Sequence, residues 1–392
     1  MTPAPGIDAR ARLIGGGRVV TPDGVLSEGW VLVRGDRIVE VGATRPGGEA
    51  PALDLAGAWL LPGYIDLHMH GGGGHSVAQS RHAMEAAVAF HRSHGTTATL
   101  VSLVTAPEEA LREQLQWAAE LTRRGAGSHG HVLGSHLEGP FLSPRRRGAQ
   151  NADHMLPPDP ALLERLLDAA DGTLRMVTLA PELPGALALI EALQTSGVIA
   201  ALGHSDATYA QAQAAIRAGA RHATHLFNAM APLLHREPGL VLAALEGGLA
   251  CELINDGSHL HPAVVRLVFD LTDSPALVTD AIDATGVGDG RFWLGGQEVQ
   301  VHGGEARLVA SGSLAGSTLT MDRAVRNAVR SSGVGIERAS AAASGVPARV
   351  LGLEGELGAI AAGHRADLVV LDDDLEVSAV MVAGAWCDAP DG

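Results

Sequence analysis

Two histidines stand two residues apart where a short apolar segment runs into glycines. The segment from Leu61 to Gly74 reads LPGYIDLHMHGGGG, a pattern that predicts a buried strand over 64–69 between a Pro-Gly turn and four glycines. Side chains two residues apart in a strand point to the same face, so His68 and His70 project together. Two imidazoles on one face supply half of a metal site. The pair alone does not establish one, because 18 histidines in 392 residues also produce such pairs by chance.

Histidines and carboxylates recur at the ends of four further predicted strands. These residues are His136 and Glu138 in HLEGP, His204 in GHS, His225 in TH and Asp280 in TD. Core packing does not account for such side chains at five corresponding places, since charged residues are rarely buried unless they are paired. In a barrel enzyme the catalytic residues lie at the carboxyl ends of the strands. The pattern therefore predicts one shared metal site. Imidazole and carboxylate ligands without thiolate suit zinc, with iron and manganese as alternatives.

From residue 64 onward, apolar segments alternate with amphipathic segments of helical period. The predicted strands cover 64–69, 97–103, 131–137, 174–179, 198–202, 222–225, 249–254 and 276–279. The predicted helices lie near 81–94, 107–124, 160–170, 184–196, 207–218, 238–247, 261–270 and 321–332. Eight strand–helix units predict an α/β fold, a (β/α)8 TIM barrel. A doubly wound open sheet is the competing arrangement.

Short strands separated by tight turns flank the barrel on both sides. They are predicted at 12–20, 29–33, 37–41 and 58–61, and again at 358–360, 367–371 and 377–382. Neither group can bury much core alone, so we expect the two to form one small β-sandwich. The predicted domains are 1–60 and 347–392 for this β unit and 61–346 for the barrel. The glycine-rich and partly strand-like segment 281–318 is an insertion after the eighth strand, where long loops are often functional.

Composition limits the partners and the compartment. A net charge of -16 argues against nucleic acid or an anionic membrane as a partner. No apolar run reaches transmembrane length, and residues 1–12 lack the apolar stretch of a signal peptide. Cys251 and Cys387 are too few for a disulfide framework, which predicts a cytoplasmic protein. All 28 residues counted as lysine or arginine are arginine, so no lysine can act as a base or, carboxylated, bridge two metals.

Eight longer motifs follow one another along the chain. They are PGYIDLHMHGG, SHLEGPFLSPRRRGAQN, ALGHSDAT, THLFNAMAPLLHREPG, NDGSHLHP, LVTDA, SLAGSTLTMDRAVRN and GELGAIAAGHRADLVVLD. Together they resemble the amidohydrolase superfamily and, within it, the family of N-acetylglucosamine-6-phosphate deacetylases. The resemblance covers nearly the whole chain. The His-x-His pair alone indicates only the superfamily, whereas HLEGPF, GHSDAT, THLFNAM and REPG in this order are highly specific.

The resemblance implies a set of metal ligands. Glu138, His204 and His225 would bind a divalent ion, and His68 with His70 would complete a second position, so one or two metals per chain are expected. In this branch a glutamate has the bridging role that a carboxylated lysine has elsewhere in the superfamily. The absence of lysine agrees with that substitution.

The implied chemistry is the hydrolysis of an acetamide. A metal lowers the pKa of a bound water from about 15.7 to about 7 and polarises the carbonyl group. Asp280 would accept the proton of the attacking water and deliver it to the departing amine. Its other interpretation, a helix N-cap after a strand, is weaker beside three candidate ligands. The expected reaction converts N-acetyl-D-glucosamine 6-phosphate to D-glucosamine 6-phosphate and acetate in amino-sugar catabolism.

The substrate phosphate must be held without lysine, by arginine, histidine or backbone donors. The resemblance implies that Arg236 in HREPG binds it and reaches into the active site of a neighbouring subunit, which means a homodimer. Arg145, Arg146 and Arg147 are interpreted as a solvated loop rather than a second phosphate clamp. Further implied substrate-binding residues are Ala149, Gln150, Asn228, Ala229, Asp256, Gly257, Ser258, His259, Leu314, Ala315 and Gly316.

One position departs from the family pattern. Many relatives carry a histidine where this chain has Gln150. A glutamine amide can still donate a hydrogen bond, but it does not titrate, so this position cannot perform acid–base chemistry here.

Two other functions remain open from the sequence. One is an amidohydrolase acting on a cyclic amide or on a different N-acyl amino sugar, although REPG favours the sugar phosphate. The other is a catalytically inactive protein that binds a metal or a sugar phosphate. The presence of Asp280 together with every candidate ligand argues against inactivity.

Overall fold

The first strands of the chain lie outside the barrel. In the computed structural model, which describes residues 11–44, 53–127 and 130–388, they are β1 (Ala11–Thr21), β2 (Gly24–Arg34), β3 (Arg37–Gly42), β4 (Leu53–Asp54) and β5 (Trp59–Pro62). Tight antiparallel hairpins join β1 to β2 and β2 to β3. Gly35 supplies the positive φ (61°) that the second hairpin turn requires. The sequence predicts both turns, from Pro22-Asp23-Gly24 and Gly35-Asp36.

Eight parallel strands of the described residues form the barrel. They are β6 (Tyr64–Asp66), β9 (Thr96–Val104), β10 (His131–Glu138), β11 (Leu174–Leu179), β12 (Ile199–Leu202), β13 (His222–Ala223), β14 (Ala250–Ile254) and β15 (Pro275–Val278). Each strand pairs with the next one along the chain. Just beyond the two end strands, the Asp280 amide donates to the His68 carbonyl and the His70 amide to the Ala281 carbonyl, both at 2.8 Å. This sequential order and closure confirm the barrel over the open sheet.

The helices of the described residues surround this barrel. They are α1 (Arg81–Ser93), α2 (Glu108–Arg124), α3 (Pro160–Ala170), α4 (Ala186–Thr195), α5 (Tyr209–Ala218), α6 (Gly239–Glu246), α7 (Pro262–Leu271), α8 (Met321–Arg330), α9 (Ile336–Ala343) and α10 (Gly345–Val350). The first eight confirm the predicted helices. The last two were not predicted. Gly345 and Pro347 interrupt the helical pattern of α10, and α9 has only eight residues. No helix within these residues is long and apolar enough to cross a membrane.

Two small elements lie near the mouth of the barrel. The strands β7 (Gly71–Gly72) and β8 (His75–Ser76) form a short ribbon directly after the histidine pair. Residues 290–308, all of them described, form an antiparallel sheet of β16 (Gly290–Leu294), β17 (Gln297–His302) and β18 (Glu305–Leu308). This sheet confirms that the insertion after the eighth strand is partly strand-like. Its buried side chains pack on Ile282 and Ala315 next to the mouth.

The terminal segments of the chain combine in one sheet. The strands β19 (Leu368–Leu371), β20 (Val377–Val382) and β21 (Ala385–Asp388) continue the N-terminal strands through the pairing of β19 with β5. The resulting order is β21-β20-β19-β5-β1-β2-β3, with β4 alongside β1. Ile14, Val31, Val370 and Met381 lie in one shared hydrophobic core. The expectation that the two groups join is therefore confirmed.

One predicted strand of this unit is wrong. Residues 358–360 form a bend rather than a strand. Gly358 has φ 80°, and a Cβ there would lie 2.6 Å from the Ser344 carbonyl oxygen, so the chain turns closely past α10. Ile360 still contributes to the core. The domain bounds 1–60, 61–346 and 347–392 stay a prediction, and all three include some residues outside the described ones.

Candidate active site

Side chains from several barrel strands meet at the carboxyl ends of those strands. They are His68 and His70 after β6, Glu138 at the end of β10, His204 after β12, His225 after β13 and Asp280 after β15. All six are buried, and Asp280, at 8%, is the most exposed of them. The structure thus brings together every residue that the sequence predicts as a metal ligand or as the base.

Glu138 lies between two pairs of histidines. Its Oε1 is 2.8 Å from His204 Nε2 and 3.0 Å from His225 Nε2. Its Oε2 is 3.3 Å from His70 Nε2 and 3.7 Å from His68 Nε2. Among the described residues two groups could hold a metal ion. One is His68, His70 and Glu138, and the other is Glu138, His204 and His225, so Glu138 belongs to both. One carboxylate can therefore contribute one oxygen to each of two neighbouring metal positions.

The hydrogen bonds behind the histidine rings show that the ring nitrogens facing the site are free to bind a cation. His70 Nδ1 lies 2.9 Å from the Ser102 carbonyl oxygen, and His204 Nδ1 lies 2.9 Å from the Arg146 carbonyl oxygen. A carbonyl oxygen only accepts, so both Nδ1 atoms donate, and in the neutral ring each Nε2 is left as an acceptor.

Each of these two Nε2 atoms lies close to the Nε2 atom of the other histidine in its pair. His68 Nε2 is 3.0 Å from His70 Nε2, and His225 Nε2 is 3.1 Å from His204 Nε2. Two nitrogen ligands of one tetrahedral Zn²⁺ lie about 3.3 Å apart, since Zn–N bonds are about 2.0–2.1 Å. The spacing of the nitrogen atoms fits a divalent metal at each pair.

The electrostatic field of the site favours positive charge. Burial lowers the pKa of His70, but hydrogen bonds to Asp280 and Glu138 raise it to about 9. Burial also lowers the pKa of His68, while the negative charges of Asp280, Glu252 and Glu138 raise it well above its usual value. The field that holds protons on these imidazoles equally attracts a divalent cation. A metal bound there must displace the protons.

Zinc binding at the His68–His70 position is therefore expected to weaken as the pH falls. Because the raised pKa of His70 keeps the ring protonated in metal-free protein below about pH 9, the apparent affinity should fall at least about tenfold between pH 7 and pH 6. Ionisation of a bound water alone would give only about a twofold change. Competition with a chromophoric chelator measures the affinity, with His70→Ala identifying the position. A change of less than about twofold would contradict the expectation.

Three of the six residues have an unusual backbone. His204, His225 and Asp280 have φ of 46°, 30° and 49°. Few residues other than glycine adopt positive φ, and such strain is concentrated at functional sites, where surrounding structure holds it. In each case the chain turns sharply as it leaves a barrel strand, which aims the side chain across the mouth.

Asp280 stands beside the His68–His70 pair. Its Oδ1 is 3.1 Å from His70 Nε2 and 3.5 Å from His68 Nε2. Burial raises the pKa of this carboxyl group, but the charge of His68 and the hydrogen bond to His70 hold it below its usual value. Asp280 is therefore ionised at neutral pH and can accept a proton. The helix N-cap interpretation is wrong, since the next helix, α8, begins at Met321.

A cavity of about 310 Å³ opens beside these residues. The predicted substrate-binding residues on its wall are Ala149, Gln150, Asn228, Ala229, His259, Leu314 and Gly316. Sequence reasoning missed Gly148, Leu294 and Ser313, which also line it. Gly148 belongs to the recognised motif around Glu138, but nothing in the sequence singled out Leu294, which reaches the cavity from β16.

Five predicted substrate-binding residues do not line this cavity. Gly257 and Ser258 are exposed, and Ala315 is buried in the core of the insertion. Asp256 lies behind the wall, where its Oδ2 is 2.7 Å from His259 Nδ1. Arg236 is exposed and lines a second cavity, together with Arg145 and Arg146.

Gln150 is held between two groups. The Thr105 amide donates to its Oε1 at 2.9 Å, and its Nε2 donates to Glu138 Oε2 at 2.6 Å. Because a backbone amide can only donate, it determines which end of the side-chain amide faces Glu138. Gln150 therefore orients Glu138, a role that the sequence did not indicate.

Further polar residues support the site from below. Thr279 Oγ1 donates to Asp66 Oδ2 at 2.6 Å, which ties the last barrel strand to the first. His136 bonds to the hydroxyl groups of Ser102 and Thr178 at 2.9 and 2.8 Å, and burial holds its pKa well below the usual value. His136 stands at a strand end as predicted, but it belongs to neither histidine pair.

Comparison with known proteins agrees with this fold and site. The model of the amidohydrolase family matches residues 59–387. The chain belongs to the amidohydrolase family, whose members are metal-dependent hydrolases.

Individual relatives narrow the resemblance within the family. N-acetylgalactosamine-6-phosphate deacetylase of Escherichia coli O157:H7 is 43% identical over 328 residues, 83% of this chain and 86% of that protein. N-acetylglucosamine-6-phosphate deacetylase of Bacillus subtilis (strain 168) is 36% identical over 380 residues, 93% and 94% of the two chains.

A solved structure is also similar over nearly the whole length. It is a mutant of N-acetyl-D-glucosamine-6-phosphate deacetylase from Mycobacterium smegmatis in complex with N-acetyl-D-glucosamine-6-phosphate, with a TM-score of 0.93, 43% identity and coverage of 97% and 100%. The resemblance predicted from the motifs is confirmed. The family implies a divalent metal, and the two groups around Glu138 could bind one.

Proposed function

We propose that this protein hydrolyses N-acetyl-D-glucosamine 6-phosphate to D-glucosamine 6-phosphate and acetate in amino-sugar catabolism. The observation that carries the proposal is the convergence of two histidine pairs on Glu138, with the Asp280 carboxylate beside them. The adjoining cavity of about 310 Å³ is within the size range of small-molecule sites. Similar chains bear the same activity in their names.

Zinc is the metal we propose, with Fe²⁺ and Mn²⁺ as alternatives because they also bind imidazole and carboxylate ligands. His204, His225 and Glu138 Oε1 would hold one ion, and His68, His70 and Glu138 Oε2 a second. A divalent ion bound there would lower the pKa of a water and polarise the acetamide carbonyl. The presence of both histidines of the first pair supports two positions.

Asp280 is the proton carrier in the proposed reaction. Its ionised carboxylate accepts the proton of the water that attacks the acetamide carbon. The same group then donates this proton to the amine nitrogen as the C–N bond breaks, because an amine leaves readily only when protonated. Gln150 keeps Glu138 in place during both steps through its 2.6 Å hydrogen bond.

The position of Arg236 supports a homodimer. It lies outside the cavity of its own chain, on an exposed segment that also presents Leu233 and Leu234, 43% and 50% exposed. Apolar side chains of this kind are commonly covered by a partner. We propose that in a homodimer this segment reaches the neighbouring cavity and that Arg236 binds the substrate phosphate there.

The proposed activity is tested by acetate release from purified protein. We expect turnover of N-acetylglucosamine 6-phosphate, loss of turnover after prolonged chelation, and recovery on addition of Zn²⁺. Intact, metal-loaded protein that releases no acetate would refute the proposal.

A second substrate should be tested in the same acetate-release assay. The E. coli O157:H7 relative acts, by its name, on N-acetylgalactosamine 6-phosphate, which differs from the first substrate only in the configuration of one hydroxyl group. A higher kcat/KM for this epimer would reassign the substrate while leaving the reaction unchanged.

Replacement of Arg236 is expected to remove the preference for a phosphorylated substrate. Arg236→Ala should lower kcat/KM for the sugar phosphate about ten- to a hundredfold, the range of a charge-assisted hydrogen bond, and leave any slow turnover of unphosphorylated N-acetylglucosamine unchanged.

Arg145 provides the matched control. It lines the same second cavity as Arg236, but its side chain is 81% exposed and pairs with Asp206 at 2.8 Å. Arg145→Ala should therefore change kcat/KM little. Equal losses on both substrates in Arg236→Ala would assign Arg236 to folding or assembly instead.

The cellular location stays a prediction. The buried Cys251 carries a free thiol, which agrees with the reducing cytoplasm expected from the sequence.

A further inference from the structure

One buried carboxylate of the barrel has no role in the mechanism above. Glu252 lies on β14, and it is fully buried. Its Oε2 is 3.0 Å from His68 Nδ1 and accepts a hydrogen bond from the His225 backbone amide at 3.0 Å. Its Oε1 is 2.8 Å from His222 Nε2. A single carboxylate thus contacts one residue of each histidine pair from behind.

We propose that Glu252 is a positioning residue that holds His68 for metal binding and ties the two metal positions together. The inference rests on the metal site of the proposed function. His68 Nδ1 faces a carboxylate that can only accept, so this nitrogen carries the proton and Nε2 is left to bind metal. The negative charge behind the ring also makes the imidazole a stronger ligand.

The contact with the second pair is of a different kind. His225 has φ 30°, a conformation that needs support, and Glu252 accepts the amide hydrogen of that residue. The bond therefore holds the backbone turn that aims His225 at Glu138 Oε1, 3.0 Å from its Nε2. Removing the charge from Glu252 should weaken the His68–His70 position more than the other, because His68 is contacted through its ring and His225 only through its backbone amide.

Glu252→Gln separates the charge from the contacts. The amide oxygen can occupy the Oε2 position and accept from His68 and His225, while the amide nitrogen donates to His222 Nε2. His222 can become the acceptor because its Nδ1 has no hydrogen-bond partner among the described residues and can take the proton. The variant keeps shape and hydrogen bonds and loses only the negative charge.

The test is a Zn²⁺ titration of chelated protein in competition with a chromophoric chelator. The variant His68→Ala identifies the His68–His70 position by abolishing it. At that position Glu252→Gln should weaken zinc binding about ten- to a hundredfold, the usual effect of removing a residue that hydrogen-bonds to a metal ligand. Asp367→Asn is the control, since it removes another buried carboxylate, paired with Arg365 away from the site. Thermal unfolding of the metal-free proteins reports any general destabilisation.

The outcomes are distinct. Weaker zinc binding in Glu252→Gln with unchanged binding in Asp367→Asn supports the positioning role. Zinc affinities within about threefold of wild type at every position would overturn it. If Glu252→Gln does not fold, Glu252→Asp serves instead, because the shorter side chain cannot reach both His68 and His222, and unchanged affinity there overturns the inference equally. Since no substrate is present, this result stands apart from any failure of the deacetylase assay.

Discussion

Asp280→Asn is expected to lower kcat by at least about a hundredfold while the protein keeps its metal. The side chain keeps its size and one oxygen but can no longer accept the proton of water or deliver it to the amine. General acid–base groups typically contribute about 10²–10⁴-fold. Asp280 is suited to this task because it is buried, ionised and 3.1 Å from His70 Nε2.

Metal content and kcat measured on the same preparation decide this prediction. Full occupancy with a large loss of kcat supports the proton carrier. A loss of activity that tracks a loss of metal would make Asp280 a ligand. Asp283→Asn is the matched control, a nearby partly buried carboxyl that does not line the cavity, and we expect it to retain near-normal turnover. Full occupancy and near-normal kcat in Asp280→Asn would require another base.

Glu138→Ala is expected to empty both metal positions at once. The two carboxylate oxygens face different histidine pairs, Oε1 at 2.8 Å from His204 and Oε2 at 3.3 Å from His70. A metal supplies several kcal/mol of transition-state stabilisation, so activity should fall roughly a thousandfold or more.

Single histidine variants provide the comparison for Glu138. His70→Ala should affect mainly one position, so elemental analysis should show a smaller loss of metal than in Glu138→Ala. If Glu138→Ala retains as much metal as His70→Ala, the shared-ligand arrangement is wrong, and each position would be independent of this carboxylate.

The sequence alone determined the main features of the fold and most of the candidate metal site. Strand periodicity placed His68 and His70 on one face, and apolar segments alternating with helical ones predicted the barrel. These signals are local, since a strand or helix reveals its period within a few residues. Once the barrel was predicted, the ends of its strands had to meet, which made Glu138, His204 and Asp280 candidates for one site, and the resemblance to a known family implied the role of each.

The tertiary structure decided everything that depends on residues far apart in the chain. Which oxygen of Glu138 faces which histidine is set by side chains 66 and 87 residues away. The orientation of Gln150 depends on the Thr105 amide, and the support of His68 on Glu252, 184 residues further on. None of these contacts leaves a periodic pattern.

Contacts between distant residues also explain what sequence analysis missed. Residues 358–360 have the composition of a strand, yet close packing of Gly358 on Ser344 turns the chain there. Arg236 belongs to a specific motif, and that it lies outside the cavity of its own chain is visible only in three dimensions. Residue types and spacing specify which groups can do chemistry, whereas distances and orientations arise only when packing brings remote segments together.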